Sequence, residues 1–579
     1  MVTGMGGVCV SKNQEVAEML KEIGLLLEIK GANKWKIRAY KRATRAITSH
    51  GEDVQSVDAR GELTEIPGIG DAIAEKISSY LDSGVVPELE KLRAEIPVAV
   101  MQLEAIPGVG PKTIKLVYDE LGVNDLDSME EAARTGRIAE LKGMGTKTEQ
   151  QILDGIALVR SGLGRTLLAD ALPYAEQLID YLKKLPEVSE IALAGSIRRK
   201  RETVHDVDIL VSADDAEMVM NAFVEFEYVQ EVIAHGTTKS SVRLDNALQI
   251  DLRIIPAESF GAGLQYFTGS VDHNVRVRSI AQSKNMLLNE YGLFQNEVKV
   301  AGDDERAVYG ELGLPFIPPE LREDKGEIEA AQENHLPNLI TLEDVRGDLH
   351  SHTDQSDGSN TIHEMLEAAD EIGYDYYCVS DHTQSLAIAN GMDEGRLLKR
   401  IDEVDEINDS GRYGLTVLKG AEVDILEGGL LDIRDDVLEQ LDVVTVSIHS
   451  RMKDDKETMT QRVCKALENK HVHMLGHPTG RLLLKRSGYE IDLDAVLEVA
   501  RQNNVAMELN ALPRRLDLNP GNLRAAKRIG VKIAINTDAH KIAHLNNMKY
   551  GVFQARRGWI EPDDVLNTFT LEELRQTLK

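Results

Sequence analysis

Two short stretches carry metal-binding residue types at useful spacings. In GDLHSHTDQSD, residues 347–357, His350 and His352 alternate with small residues, and Asp357 follows five positions later. An extended strand sends successive side chains to opposite faces, so the two imidazoles share a face and the carboxylate can return from the following loop. That geometry can hold a cation. In HDVDIL, residues 205–210, Asp206 and Asp208 share a face in the same way, and Asp251 in QIDLRI can join them from a neighbouring strand. Magnesium keeps several waters and binds through a few carboxylates plus substrate phosphates, so three convergent aspartates suit two-metal phosphoryl transfer. The Gly195-Ser196 turn and the basic run Arg198-Arg199-Lys200-Arg201 just before them supply donors for an anion.

The histidine pair lies in a region where apolar strand candidates alternate with helical patterns such as NTIHEMLEAADEIG and NLRAAKRIG. The strand candidates end at Leu349, Ser380, Val423, Ile448, Leu475, Leu509 and Asn536. Seven such units predict parallel strands with crossover helices, as an open sheet or a barrel. A parallel barrel gathers its chemistry at the strand carboxyl ends. In order, those ends read Asp348-Leu-His350-Ser-His352, Asp381-His382, Gly420-Ala-Glu422, Ser447-Ile-His449, Gly476-His477-Pro478 and Asp538-Ala-His540. One histidine at a strand end is usually a satisfied structural residue, but the same accident does not recur at six ends. Imidazole and carboxylate without thiolate suit zinc or manganese, and bridging carboxylates let such a set hold two or three ions. His363, His471, His473 and His544 read as structural, and Arg481, Arg514 and Arg515 as solvated loop residues, with a phosphate contact as the alternative reading.

The first 160 residues read as short amphipathic helices interrupted by three similar glycine breaks, at Ile66–Gly70, Ile106–Lys112 and Leu141–Lys147. From about Arg165 the pattern becomes helix, strand, strand, with IALAGS, DVDILVS and ALQIDLRIIP as strands. The Pro-rich, charged stretch from Leu314 to Asn338 reads as a partly ordered linker. A chain of 579 residues should hold several cores. A net charge of -31 excludes a generally basic nucleic-acid coat, so any such surface must be local. Residues 30–45 fit that description, with seven bases, no acids, and the aromatics Trp35 and Tyr40. Cys9, Cys378 and Cys464 are too few and scattered for a disulfide framework, which suits a reducing compartment. With no apolar run of spanning length and no secretory pattern at the start, a cytoplasmic protein is expected.

From about Asp344 to Lys579 the motifs HSH with Asp357, SDH, AEV, SIH, GHP and TDAH resemble the PHP (polymerase and histidinol phosphatase) family of metal-dependent phosphoesterases. The resemblance implies a distorted (βα)7 barrel with a trinuclear centre holding Zn2+, Mn2+ or both. Its ligands would be His350, His352, Asp357, His382, Glu422, His449, His477, Asp538 and His540. Residues 10–320 resemble the X family of DNA polymerases, of the DNA polymerase beta type. Gly-Ser, Arg-Arg and the Asp-x-Asp pair fall at the family spacing, and YFTGS follows at Tyr266–Ser270 with Asn274 and Arg278 beyond it. This implies that Asp206, Asp208 and Asp251 are catalytic and hold Mg2+ or Mn2+. It also implies Ser196, Arg199 and, from a poorer local match, Arg165 on the triphosphate. Tyr266, Phe267, Gly269 and Asn274 would line the nucleotide pocket, with Arg278 on the template side.

By the same resemblance the glycine breaks are helix-hairpin-helix turns. Their backbone N–H groups, at Gly68, Gly70, Gly108 and Gly110, would grip DNA phosphates with a Na+ or K+ ion, and Lys36 and Tyr40 would add to that surface. Lys76 falls where a Schiff-base lysine acts in the family's lyase domain, although Ala72 replaces an expected basic residue. The expected fold is multidomain. Residues 1–90 form a small DNA-binding, lyase-like helical domain and 91–160 a fingers-like helical domain. An α+β nucleotidyltransferase palm follows at 161–258, a thumb at 259–320, a linker at 321–343 and an α/β PHP barrel at 344–579.

Together the resemblances are those of prokaryotic X-family polymerases with a PHP domain. They imply a monomeric enzyme acting on gapped or primer-template DNA with dNTPs, filling gaps in base excision or end repair. The barrel would serve as a 3′–5′ exonuclease, with abasic-site or 3′-end processing as a further activity. The alternatives are a tethered small-molecule phosphatase and a purely structural metal module.

Overall fold

A computed structural model describes residues 12–49, 54–106, 108–162 and 164–578. Two compact units divide the chain, one of residues 1–163 with 484–486 and the other of the remainder. Cys9 and Pro107, which sequence reading singled out, lie outside the described residues; Cys378 and Cys464 are free thiols. No described helix is long and apolar enough to cross a membrane.

The first unit is helical. Apolar side chains from Val16 to Ile156 pack into one core, so the two regions divided at residue 90 in the sequence reading share their interior. In the three glycine breaks Gly68, Gly108 and Gly143 have φ of 107°, 83° and 86°, left-handed backbone that favours residues without a Cβ. Each break leads into a helix, Asp71–Ser83, Pro111–Leu121 or Thr146–Gly162.

The second unit opens with a five-stranded sheet in the order Val188–Leu193, Asp206–Ala213, Gln249–Ile254, Lys239–Leu244, Val229–His235. Only the central pair, Asp206–Ala213 with Gln249–Ile254, is parallel. Buried valine, isoleucine and leucine on these two strands explain their central place. The helices Phe260–Thr268 and Val271–Ser283 and a three-stranded antiparallel sheet, Met286–Ala301, follow. The stretch expected as a partly ordered linker packs against these elements instead. Ile317, Leu321 and Ile328 enter their core, Arg322 is fully buried on Glu305, and Glu327 is buried on His273.

Seven parallel strands then run in sequence order: Gly347–Asp348, Tyr376–Val379, Thr416–Asp424, Val443–Ser447, Met474–Leu475, Ala506–Asn510 and Ile533–Asn536. A parallel bridge between Ser351 and Ala539, with His352 N donating to the Ala539 carbonyl at 2.8 Å, draws the first and last strands together at their carboxyl ends. The sheet is therefore a nearly closed barrel. It meets the five-stranded half through charge. Glu202 accepts from Arg481 and Gln554, Glu320 from Arg556, and Glu323 from Arg557.

Candidate active sites

All nine expected barrel residues converge at the strand carboxyl ends. Glu422, 1% exposed, is the hub. Its carboxylate has His382 Nδ1 at 2.8 Å, His477 Nε2 at 3.0 Å, His350 and His449 Nε2 at 3.4 Å and His352 Nε2 at 3.6 Å. Asp538 lies 3.1 Å from His352, and Asp357 lies 3.3 Å from His540 and 3.6 Å from His382. Three groups gather donor atoms closely enough for a cation: His352, Asp357, His382 and His540; His350, His352 and Asp538; and His382, Glu422 and His449. The donor set fits divalent ions, because Nε2 of His350 and His352 face one another at 3.1 Å and buried Nδ1 of His477 has no hydrogen-bond partner. His477 and Asp538 adopt φ of 27° and 51°, strained backbone of the kind held at functional sites. Burial opposes charge on His350, yet Glu508, Glu422 and Asp538 outweigh it and hold its pKa well above the usual range. Burial, with His540 and His382 alongside, pushes His352 the other way, to about 4.

Sequence reading missed the residues that orient these side chains. Glu508, fully buried on Ala506–Asn510, accepts from His350 Nδ1 at 2.7 Å and from the His477 backbone at 2.6 Å. Asp424 pairs with His449 Nδ1 at 3.3 Å, and Asn510 donates to Asp538 at 3.0 Å. Such partners fix ring orientation and raise ligand basicity. A glutamate inside the apolar run AMELN was the available signal. Nor are all the loop arginines solvated. Arg481 is bound by Glu202, and Arg515 has buried Nε and Nη1 without hydrogen-bond partners, 3.7 Å from Asp538.

In the five-stranded sheet, Asp208 and Asp251 are direct partners on the parallel strands, and Asp206 stands two residues along the same face. Burial, then the charges of Asp206 and Asp251, raise Asp208 to about 6. Lys239, on the next strand, sits 2.5 Å from Asp251. Gly195 begins the short helix Gly195–Arg198 with φ 57°, and a Cβ there would lie 2.2 Å from Asp208 Oδ2. Glycine thus lets the turn press against the carboxylate. Arg199 follows, donating to the Thr268 carbonyl beside Gly269. Tyr266 and Phe267 stack edge-on, centroids 5.0 Å apart, and Asn274 donates to the Tyr266 carbonyl at 2.7 Å. Arg278 reaches only the Asn274 carbonyl, and Arg165 is tied to Thr203 on the strand leading to Asp206. Of the residues expected around a nucleotide, Arg165 feels the charge of Asp206, and Phe267 lies 4.7 Å under Arg253, whose charge reaches Asp208.

In the first unit, Trp35 is exposed with the Arg38 guanidinium 5.4 Å over its ring, but Tyr40 is not a surface residue. It is 3% exposed, packs in the core of its unit, and its hydroxyl donates to Glu88 at 3.2 Å. Glu88 also binds Lys36 at 2.6 Å and Lys76 at 3.2 Å, and Lys76 donates to the Ala72 carbonyl.

One chain thus unites a nucleotidyltransferase sheet with a metal phosphoesterase barrel. Family models match a helix-hairpin-helix domain at residues 11–86, a SAM-like helix-hairpin-helix tandem at 100–157, a DNA polymerase beta thumb at 263–323 and a PHP domain at 348–511. The chain belongs to the X-family DNA polymerases that carry a PHP domain. It is 38% identical, over 98% of its length and 99% of the relative's, to the DNA polymerase/3′-5′ exonuclease PolX of Bacillus subtilis (strain 168). DNA polymerase lambda of Rattus norvegicus is 26% identical over 54% of this chain and 56% of its own length. A probable phosphatase of Thermoanaerobacter sp. (strain X514) is 30% identical over 38% of this chain and 89% of its own length.

Proposed function

We propose that this protein fills short gaps in DNA during base excision or end repair and trims unpaired 3′ ends through its barrel. The observation that carries the reading is the register of Asp208 with Asp251 across the parallel strands, beside the Gly195 turn. Mg2+ or Mn2+ held by Asp206, Asp208 and Asp251 would lower the pKa of the primer 3′-hydroxyl and neutralise the triphosphate. Ser196 and Arg199 hold the triphosphate, with Arg165 beside them. Tyr266, Phe267, Gly269 and Asn274 shape the sugar side, and Arg278 faces the template. The glycine turns and Lys36 grip the phosphate backbone without reading sequence.

Zn2+ or Mn2+ held by the nine barrel residues would generate the hydroxide that cleaves a phosphodiester. There Glu508 fixes His350, and Arg515, with guanidinium hydrogens to spare, pairs with the substrate phosphate. Abasic-site and 3′-end processing belong to the same chemistry. A second reading, a tethered phosphatase for small molecules, is favoured by the likeness to the Thermoanaerobacter protein.

The test is a labelled, one-nucleotide-gapped duplex with a mismatched 3′ end, in Mn2+, with wild type, Asp208→Ala and His352→Ala. Asp208→Ala should lose extension and keep trimming; His352→Ala should do the reverse. If wild type hydrolyses a chromogenic phosphate monoester but never trims the DNA, the phosphatase reading replaces the nuclease.

A further inference from the structure

The residue proposed to bind the triphosphate is held by the barrel. Glu323 is about four-fifths buried and shared by three guanidinium groups. Arg199 Nε donates to its Oε1 at 3.1 Å, Arg201 Nη1 to Oε2 at 3.1 Å, and Arg557 Nη1 to Oε1 at 3.2 Å. Arg557 ends the helix Met548–Arg557, which follows the strand and loop bearing Asp538 and His540. Its Nη1 also donates to the Arg199 backbone carbonyl at 2.8 Å. Arg557 therefore touches both the arginine and the carboxylate that competes for it.

We infer that Arg557 is a positioning residue for nucleotide addition, retaining Glu323 on the barrel so that Arg199 is free to turn to the triphosphate. The inference rests on the reading of Arg199 as a triphosphate contact. A carboxylate in so buried a place is costly to leave short of partners. A triphosphate that draws Arg199 away leaves Oε1 of Glu323 to Arg557. Without Arg557, that oxygen has only Arg199, with Arg201 on the other one, and the nucleotide must pull Arg199 from an oxygen that has no second guanidinium. The barrel then contributes to polymerisation through a contact remote from its metal ligands.

The experiment measures KM for dNTP and kcat on a one-nucleotide gap, using full-length wild type, Arg557→Ala, Arg557→Lys, Glu323→Gln, the Arg557→Ala/Glu323→Gln double variant and Arg199→Ala. Arg557→Ala should raise KM about tenfold with kcat within about twofold, and Arg557→Lys should recover part of the loss. In the Glu323→Gln background, Arg557→Ala should change KM by less than about twofold, because the competing carboxylate is gone. An equal rise in both backgrounds would mean long-range attraction or loosened docking, and would overturn the inference. So would an unchanged KM in Arg557→Ala while Arg199→Ala raises it. If Arg199→Ala leaves KM unchanged, the triphosphate reading of Arg199 falls and the inference falls with it.

Discussion

The palm and the barrel both gather acids, and they deal with the repulsion in opposite ways. The barrel neutralises itself, since five imidazoles ring Glu422 and every one of its acids has a histidine nearby. The palm leaves Asp206, Asp208 and Asp251 facing one another with Lys239 paired to the last, and burial, then the two neighbouring charges, raises Asp208 to about 6. Such a site gains most from charge that arrives with its substrate. The contrast teaches that one chain can place two acidic clusters on different sheets, one balanced by imidazoles and one left short of them.

Four changes sharpen or break that contrast. The largest effect is expected for Asp208→Asn, which should cut gap filling on the order of 10⁴-fold, about 5 kcal/mol of barrier, while trimming stays within about twofold. Parallel loss of both activities, read by single-turnover extension and by end release, would contradict two independent sites. Glu305→Gln probes charge in a third setting, where the carboxylate is buried and no substrate is involved. Arg198 and Arg322 both bond Glu305, and removing its charge should cost about 3–5 kcal/mol of stability by denaturant unfolding at pH 7. Burial opposes the Glu305 charge, but Arg322 and Arg198 hold its pKa below 4.5. Its contribution is therefore full above pH 4.5 and shrinks as pH falls through the depressed value, where wild type and variant should converge.

Glu508→Gln tests whether the barrel centre depends on its buried partner. Trimming or metal affinity should fall by about 10–100-fold with gap filling unchanged, checked by metal content after dialysis. The smallest effect is expected at the amino terminus. Borohydride should trap wild type on a 5′-deoxyribose phosphate end and leave Lys76→Ala untrapped, with gap filling altered by less than about twofold. Equal trapping of both proteins would place the reacting amine elsewhere than Lys76.

The barrel and its rim were legible because parallel strands must place ligands at their ends, so His350, His382, His449, His477 and His540 announce themselves by position. The Asp206 and Asp208 pair was legible for the same reason of strand alternation. Glu508 was not, because a single acid in an apolar strand has no repeat or spacing to mark it. The charged run containing Arg322, Glu323 and Glu327 read as a partly ordered linker because its partners, Glu305, Arg557 and His273, come from other elements. Pairing over such separations leaves no local pattern, and burial of the run reverses what composition suggests. The burial of Tyr40 was hidden in the same way: on a basic helix an aromatic reads as outward, yet this ring lies in the core while Trp35 stays outside.

The seam between the two halves has a practical consequence. The barrel offers it Arg481, Arg556 and Arg557, and the other side answers with Glu202, Glu320 and Glu323. A truncated protein beginning near Gly347 would bare those guanidinium groups to solvent. Their natural counter-charges gone, they would recruit any polyanion, and a band-shift with such a fragment would report a cut surface rather than a substrate channel. Neutralising the three arginines in the fragment is the control that separates the two.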